Sequence, residues 1–304
     1  MNILLIHQYF LEKNHGGGSR FNEFVKIWSK MDCEITVLAG MVNYQTGKKL
    51  EKYKGKFVLK EECFYENVNV IRCHVSEKYN HGRFGRFWAY LTFIFSSLYA
   101  GLFMTKKKYD VILVSSPPIF DGITAYLLSI FKKTPFIYET RDLWIESISE
   151  IRVIKSKLIL KFLYFIENFV FDKAILINVL TPIVKKKLIL KKNISKNKLI
   201  YIPNSSYLDL IKQVEKKFDV QKFRINNGIK DKFVITYVGA HGISNNLIQL
   251  VDVAEKFRGE NVIFQLIGDG MKKKYLQNEV IKRNLENVKF IDVQSKKNIF
   301  KYIL

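Results

Sequence analysis

Short apolar runs, mostly β-branched, recur along the chain, and the stretches between them carry apolar residues at helical spacing. Ile3–Ile6, Ile35–Leu38, Val68–Ile71, Val111–Val114, Phe136–Tyr138, Ala174–Val179 and Leu199–Ile202 read as strands. Phe21, Phe24, Val25 and Trp28 fall on one side of a helix for which Ser19 is a candidate N-cap. Leu158, Phe162, Phe165 and Phe169 form a second, aromatic-rich helical face. The strand runs are apolar throughout rather than alternating, as strands covered on both faces must be. Strands alternating with helices predict right-handed βαβ units and a parallel sheet.

The pattern changes after Ile202. Pro203-Asn204 is a turn signal, and residues 205–232 are polar and weakly periodic, which predicts a linker. A second series then begins. It comprises Val234–Val238, a helix with Leu247, Leu250, Val251, Ala254 and Phe257 on one face, Val262–Ile267, a helix from Lys272 to Asn284, Val288–Ile291, and a helical start at Lys296. The predicted class is therefore α/β, with two doubly wound domains at 1–204 and 233–304 joined by 205–232. The second domain holds only three strands and the chain stops inside an apparent helix, so the expectation is a domain left incomplete.

Composition sharpens the picture in places. The 304 residues are 48% hydrophobic and 14% aromatic, enough to bury sizeable cores. The net charge of +22 favours polyanionic partners: nucleic acid, anionic lipid or phosphorylated substrates. Much of that charge lies in short lysine clusters, and a compositional bias toward Ile, Lys and Asn accounts for it equally well. Nucleic acid is disfavoured, because Phe162, Phe165 and Phe169 sit in an apolar helix face and no recognition motif is present. Cys33, Cys63 and Cys73 form neither a disulfide framework nor a metal motif. The opening MNILLIHQYF reads as a strand rather than a signal peptide, so a cytoplasmic location is expected. Phe87–Met104 carries no charge and has Arg83 and Arg86 before it and Lys106–Lys108 after it. Three readings stay open for it: a span, a buried crossover helix, or a helix lying on a membrane.

Candidate chemistry clusters where a strand meets a glycine turn and then a helix. Such a turn lets a phosphorylated ligand approach free N–H groups at the positive end of a helix. Gly16, Gly17, Gly18, Ser19 and Arg20 follow the first strand; the spacing is neither that of a dinucleotide fingerprint nor that of a P-loop. Arg20 is placed to face a phosphate. After Phe136–Tyr138 come Glu139, Thr140, Arg141 and Asp142. Asp142 is either the group that orients or deprotonates an acceptor hydroxyl or an N-cap paired with Glu146, and Arg141 is a phosphate ligand candidate. Gly239-Ala240-His241-Gly242 follows the next strand series, with Ser244, Asn245 and Asn246 as candidate caps. Gly268, Asp269 and Gly270 form a further tight βα turn.

Taken together, YVGAHG followed by LIGDG and preceded by YIPNSS resembles the family 4 glycosyltransferases of the GT-B fold. The segments HQYF…GGGSR and ETRDLWIES look like the bacterial branch containing N-acetyl-L-fucosamine transferases of O-antigen and capsule synthesis. The resemblance implies two Rossmann-like domains across a cleft, a nucleotide sugar (usually a UDP-sugar) held by the second, and an acceptor presented by the first. That acceptor is a saccharide on a polyprenyl diphosphate at the inner face of the cytoplasmic membrane. It also implies retention of configuration and no bound metal or other cofactor. Gly239, Gly242 and Asn245 would lie at the donor diphosphate, Gly268, Asp269 and Gly270 near the nucleotide, and Val293 and Gln294 near the base. Gly16–Gly18 would close over the donor phosphate, with Asp142 as the catalytic candidate and Arg20 and Arg141 on the acceptor side. The Phe87–Met104 helix would dock peripherally on the membrane. Two departures stand out: the Gly239–Asn246 motif lacks the Arg and Lys common in the family, and no Glu-x7-Glu segment occurs before Leu304. The second leaves a non-catalytic binding protein of the same fold as the alternative expectation.

Overall fold

In the computed structural model the described residues are 1–13, 20–43, 46–105, 108–150, 154, 156–204 and 208–304, without the side chains of 79, 80, 83, 209 and 296. The chain divides into two compact units, Met1–Asn204 and Ser205–Leu304.

The first unit is built on one eight-stranded sheet. In chain order its strands are β1 (Asn2–His7), β2 (Glu34–Gly40), β3 (Val58–Tyr65), β4 (Val68–Cys73), β5 (Val111–Ser116), β6 (Phe136–Thr140), β7 (Leu176–Val179) and β8 (Leu199–Tyr201). Their spatial order is β3-β4-β2-β1-β5-β6-β7-β8, and every neighbouring pair is parallel except β3 with β4. Helix α1 (Arg20–Trp28) covers one face, where Phe21 and Val25 pack on Ile3, Leu5 and Val37. The other face carries α2 (Gly82–Tyr99), continued to Met104 by a π-helical turn, then α3 (Asp121–Lys132), α5 (Lys157–Lys173) and α6 (Pro182–Lys192). The short α4 (Trp144–Glu150) precedes α5 and packs Ile145 into the same core. Right-handed crossovers dictate this division, since connections running toward β2 and connections running toward β8 must lie on opposite faces.

β3 is the element that apolar patterning misses. Lys60, Glu61 and Glu62 break its apolar run because it is an edge strand with one solvated face. The readable signal is the two-residue turn at Glu66-Asn67, where Asn67 adopts φ 58°.

α5 also departs from expectation. Its core face is Leu163, Ile166, Val170 and Phe171, while Leu158, Phe162 and Phe165 are exposed at 78%, 52% and 67%. The aromatic face therefore points to solvent. Glu167 of α5, buried, is paired with Lys192 of α6. Phe87–Met104 is a crossover helix whose inner side, including Ala89, Phe93 and Ala100, is core. Ser96 and Ser97 are fully buried there and bonded to His74 O and Thr124 Oγ1.

The second unit begins with α7 (Leu208–Glu215) and α8 (Val220–Asn226), so residues 205–232 are not an irregular linker. Asp219 caps α8 by accepting from Lys222 N at 2.9 Å, and Phe223 packs on Tyr302. A parallel sheet follows in the order β11-β10-β9, from β9 (Phe233–Val238), β10 (Val262–Ile267) and β11 (Val288–Ile291). α9 (Ile248–Lys256) and α10 (Lys273–Lys282) cover it through Val251, Leu276 and Val280. β9 has one partner strand among the described residues, and Phe233 and Val238 at its ends are exposed.

One buried charge organises the edge of the first unit. Arg72 of β4 is 1% exposed and donates to the Phe10 and Leu11 carbonyls at 2.6 and 3.2 Å. It pairs with Glu12 and Glu61 at 3.0 and 3.1 Å, and Tyr53 Oη donates to the same two carboxylates. Phe10–Glu12, the segment leading toward the first glycine run, is thus anchored by a planar fork that a lysine would not reproduce. Burial works to raise Glu61, but the Lys52 hydrogen bond and the Arg72 charge bring it below its ordinary 4.5. Arg72→Met is expected to cost about 3–5 kcal/mol, because two buried carbonyls lose their donor and two carboxylates lose their buried countercharge. A depressed carboxylate stabilises above its unfolded value and loses that contribution as pH falls through the folded one. Thermal melts on the acid side should therefore be flatter for Glu61→Gln than for the parent.

Candidate functional site

In open parallel sheets, ligands bind outside the carboxyl ends of strands where the strand order reverses. In the first unit that point lies between β1 and β5, with β2 on one side and β6 on the other. The residues gathered there are polar and buried. His7 and Gln8 end β1, Ser115 and Ser116 end β5, Glu139 and Thr140 end β6, and Asp121 opens α3; all are 3% exposed or less. Gln8 N donates to Asp121 Oδ2 at 3.3 Å. Glu139 accepts from Ser115 Oγ and Asn178 Nδ2 at 3.2 and 2.8 Å. His7 Nδ1, Gln8 Oε1 and Asp121 Oδ1 have no partner among the described residues. Buried polar atoms are nearly always paired in a finished interior, so three orphans together mark room for water or ligand.

The electrostatics suit a neutral site. Burial pushes Asp121 well above the ordinary carboxylate range, against the Gln8 N–H bond and the Arg141 charge. Burial, with the Arg141 charge adding to it, holds His7 well below the ordinary imidazole range. The protonated form of Asp121 that burial favours is a donor and the neutral form of His7 can accept, the two roles that binding a hydroxyl calls for.

The predicted site residues of this unit fall as follows. Arg141 is half-buried and donates to Ser116 O and Pro117 O at 3.1 and 3.4 Å, beside the cluster; the Ser116–Pro117 and Pro117–Pro118 bonds there are cis. Asp142 is exposed, and its backbone carbonyl accepts from Thr140 Oγ1 at 3.2 Å. Arg20 turns toward protein: it donates to Ile202 O, Pro203 O and Asn204 Oδ1 at 3.1, 2.8 and 2.9 Å, and its Nε lies 3.2 Å from Glu139 Oε2. Its guanidinium ties the start of α1 to the ends of β6 and β8. Gly16, Gly17, Gly18 and Ser19 lie outside the described residues. His7, Gln8 and Asp121 escape sequence reading as a site because only the topology brings the end of β1 to the start of α3.

In the second unit the two glycine turns lock backbone to backbone. Gly239 N donates to Ile267 O at 3.0 Å, His241 N to Asp269 O at 2.9 Å, and Lys272 N to His241 O at 2.9 Å. Gly268 and Gly270 adopt φ 145° and 154°, and added Cβ atoms there would stand 2.0 Å from Gly239 O and 2.7 Å from His241 O. Both positions therefore need glycine to let the loops meet. Beneath them His241 is fully buried beside Tyr237 and Phe290, with neither ring nitrogen partnered among the described residues. Burial first, then the Lys273 charge, lowers it. Gly242 sits with Asn245 Oδ1 3.1 Å from where its Cβ would be.

α9 starts later than its candidate caps suggest. Residues 243–247 form a turn with Asn246 at φ 47°, Leu247 is the N-cap, and Ser244, Asn245 and Asn246 do not cap the helix. Lys273, the first residue of α10, reaches Asp292 at 2.6 Å, next to Val293, which is 67% exposed, and Gln294. Among the described residues no three His, Cys, Asp or Glu side chains gather as a metal site.

No protein-family profile matches the chain. A stretch of 107 residues, 35% of this chain, is 29% identical to WcaI of Escherichia coli K12, assigned as a glycosyl transferase of colanic acid biosynthesis; the match reaches 26% of that protein's length. Among solved structures, Anabaena HepE in complex with UDP-glucose superposes over 100% of this chain and 71% of its own, with TM-score 0.63 and 15% identity. WaaG, a glycosyltransferase involved in lipopolysaccharide biosynthesis, does so over 100% and 72%, with TM-score 0.62 and 14% identity. The chain has the GT-B fold of these enzymes.

Two outcomes test this description. Burial favours the protonated form of Asp121, so its contribution is complete below its ordinary 3.8 and is lost as pH rises through the raised folded value. Asp121→Asn has no proton to lose, so its melting temperature relative to the parent should climb as pH rises above about 4. A difference that stays flat across that range contradicts the assignment. Gly270→Ala should destabilise the second unit by at least about 1–3 kcal/mol in denaturant melts.

Proposed function

We propose that the protein is a retaining glycosyltransferase. It moves a sugar from a UDP-sugar to a saccharide carried on a polyprenyl diphosphate, in the synthesis of a surface polysaccharide. The observation that carries this reading is the paired glycine turn of the second unit. Its backbone lock holds Gly239–Gly242 at the carboxyl end of β9, beside the loop that enters α10, as a diphosphate cradle requires. The HepE complex with UDP-glucose and the stretch shared with WcaI support a nucleotide sugar as donor.

Roles follow from the chemistry at hand. Gly239, Gly242 and Asn245 offer amides and a neutral carboxamide to the diphosphate, and Lys272–Lys274 supply positive charge at the start of α10. His241, whose ring nitrogens have no partner among the described residues, positions the Gly268–Gly270 loop or a donor hydroxyl. Val293 and Gln294 flank the base. In the first unit the Asp121–His7–Arg141 cluster holds the acceptor hydroxyl and its phosphate, with Asp142 at the rim. Donor and acceptor are bound by different units, and the acceptor lipid places the protein peripherally at the inner face of the cytoplasmic membrane.

Isothermal titration with UDP should give a dissociation constant between about 1 µM and 1 mM. Gly242→Asp sets a carboxylate against the diphosphate and should weaken binding roughly tenfold or more at low salt. Binding that ignores this substitution overturns the donor site. Binding without any transfer to lipid-linked saccharides points to the non-catalytic reading, and NMR of the product anomer reports retention.

A further inference from the structure

We infer that the outer surface of the α2–α3–α5 layer is a docking face for an anionic lipid bilayer, with α5 contributing as much of it as α2. The inference rests on the membrane part of the reading above and on nothing about the donor, so vesicle binding and UDP binding can fail independently.

The side chains define the face. Along α2 and its π-helical end, Phe84, Trp88, Phe95, Tyr99 and Phe103 are exposed at 92%, 51%, 64%, 47% and 69%. Their spacing keeps them on one stripe. Ile130 and Phe131 at the end of α3, and Leu158, Ile159, Phe162 and Phe165 of α5, are exposed as well. Because α2, α3 and α5 pack on the same side of the sheet, their outward residues share one surface. Phe169 of α5 meets Tyr126 of α3 edge-on at 4.8 Å, and Ser97 of α2 bonds Thr124 of α3, so the three helices are contiguous. Soluble surfaces seldom leave that many large apolar side chains together, and such patches mark interaction sites.

Charge chooses the occupant. α2 has no Asp or Glu; Asp121 of α3 and Glu167 of α5 are buried; Asp172 lies in the last turn of α5. Around the apolar stripe stand exposed Arg86, Lys108, Lys133, Lys157 and Lys161. A large apolar face with a predominantly cationic rim, whose exposed Asp172 is paired with Lys173, is the pattern of helices that lie in the interface of an anionic bilayer. A second copy of the chain would bring two cationic rims together, which opposes self-association. Spanning is incompatible with the packing, since the inner side of α2 is core and its buried serines are bonded to the first unit.

Co-sedimentation of the full chain with phosphatidylcholine vesicles, with and without phosphatidylglycerol, tests the proposal. The wild type should pellet with the anionic vesicles, and acyl-chain-brominated lipid should quench its tryptophan emission. Phe162→Ser with Phe165→Ser, and separately Trp88→Ala with Phe95→Ser, should each lower partitioning roughly tenfold or more while UDP binding stays unchanged. Lys157→Glu with Lys161→Glu should remove the preference for phosphatidylglycerol. Unquenched wild-type emission overturns the proposal. So does vesicle binding that the α5 pair leaves intact, or a wild-type dimer in sedimentation that the α5 pair disperses without any vesicle binding.

Discussion

A parallel sheet can be continued only by crossovers, and that constraint sets where this protein can do chemistry. Each parallel strand leaves the sheet at the same edge, so the loops that carry these strands into helices collect there. In the first unit the edge gathers His7, Gln8, Ser116, Glu139 and Asp121 from three separate stretches of chain. In the second it gathers two glycine turns that could not meet if any side chain intervened. The handedness of the same crossovers puts α2, α3 and α5 on one face and so creates the apolar surface assigned to lipid.

Much of this was legible in the order of residues, and the parts that were not have physical reasons. All seven apolar runs of the first unit correspond to strands, because strands covered on both faces must be apolar. β3 stayed hidden since Lys60 and Glu62 look to water and Glu61 turns in to pair with Arg72. In α5 the spacing of Leu158, Phe162, Phe165 and Phe169 signals a helix correctly but not its orientation. Leu163, Ile166 and Val170 form a competing face of equal apolarity, and only tertiary packing decides between them. α7 and α8 hid in a polar stretch because each buries little.

The sites divide the same way. Glycine turns announce themselves, since a positive φ and a close backbone contact demand a particular residue. Gly268 and Gly270, however, serve the neighbouring loop first, and any ligand approach comes after that. Arg20 looks like a phosphate ligand in the sequence, yet the carbonyls of Ile202 and Pro203 take its donors. Asp121 carries no motif at all. It matters because burial favours its neutral form at the same sheet edge where burial favours a neutral His7, a property of position rather than of residue type.

The central claim is that the nucleotide sugar's diphosphate rests on the locked glycine turns of the second unit. Amide chemical shifts of isotope-labelled protein during UDP titration address it directly. The account predicts the largest, saturable changes at Gly239–Gly242 and Gly268–Gly270, with the His241 ring following. Saturable shifts confined to other surfaces, with those amides unmoved, would contradict it.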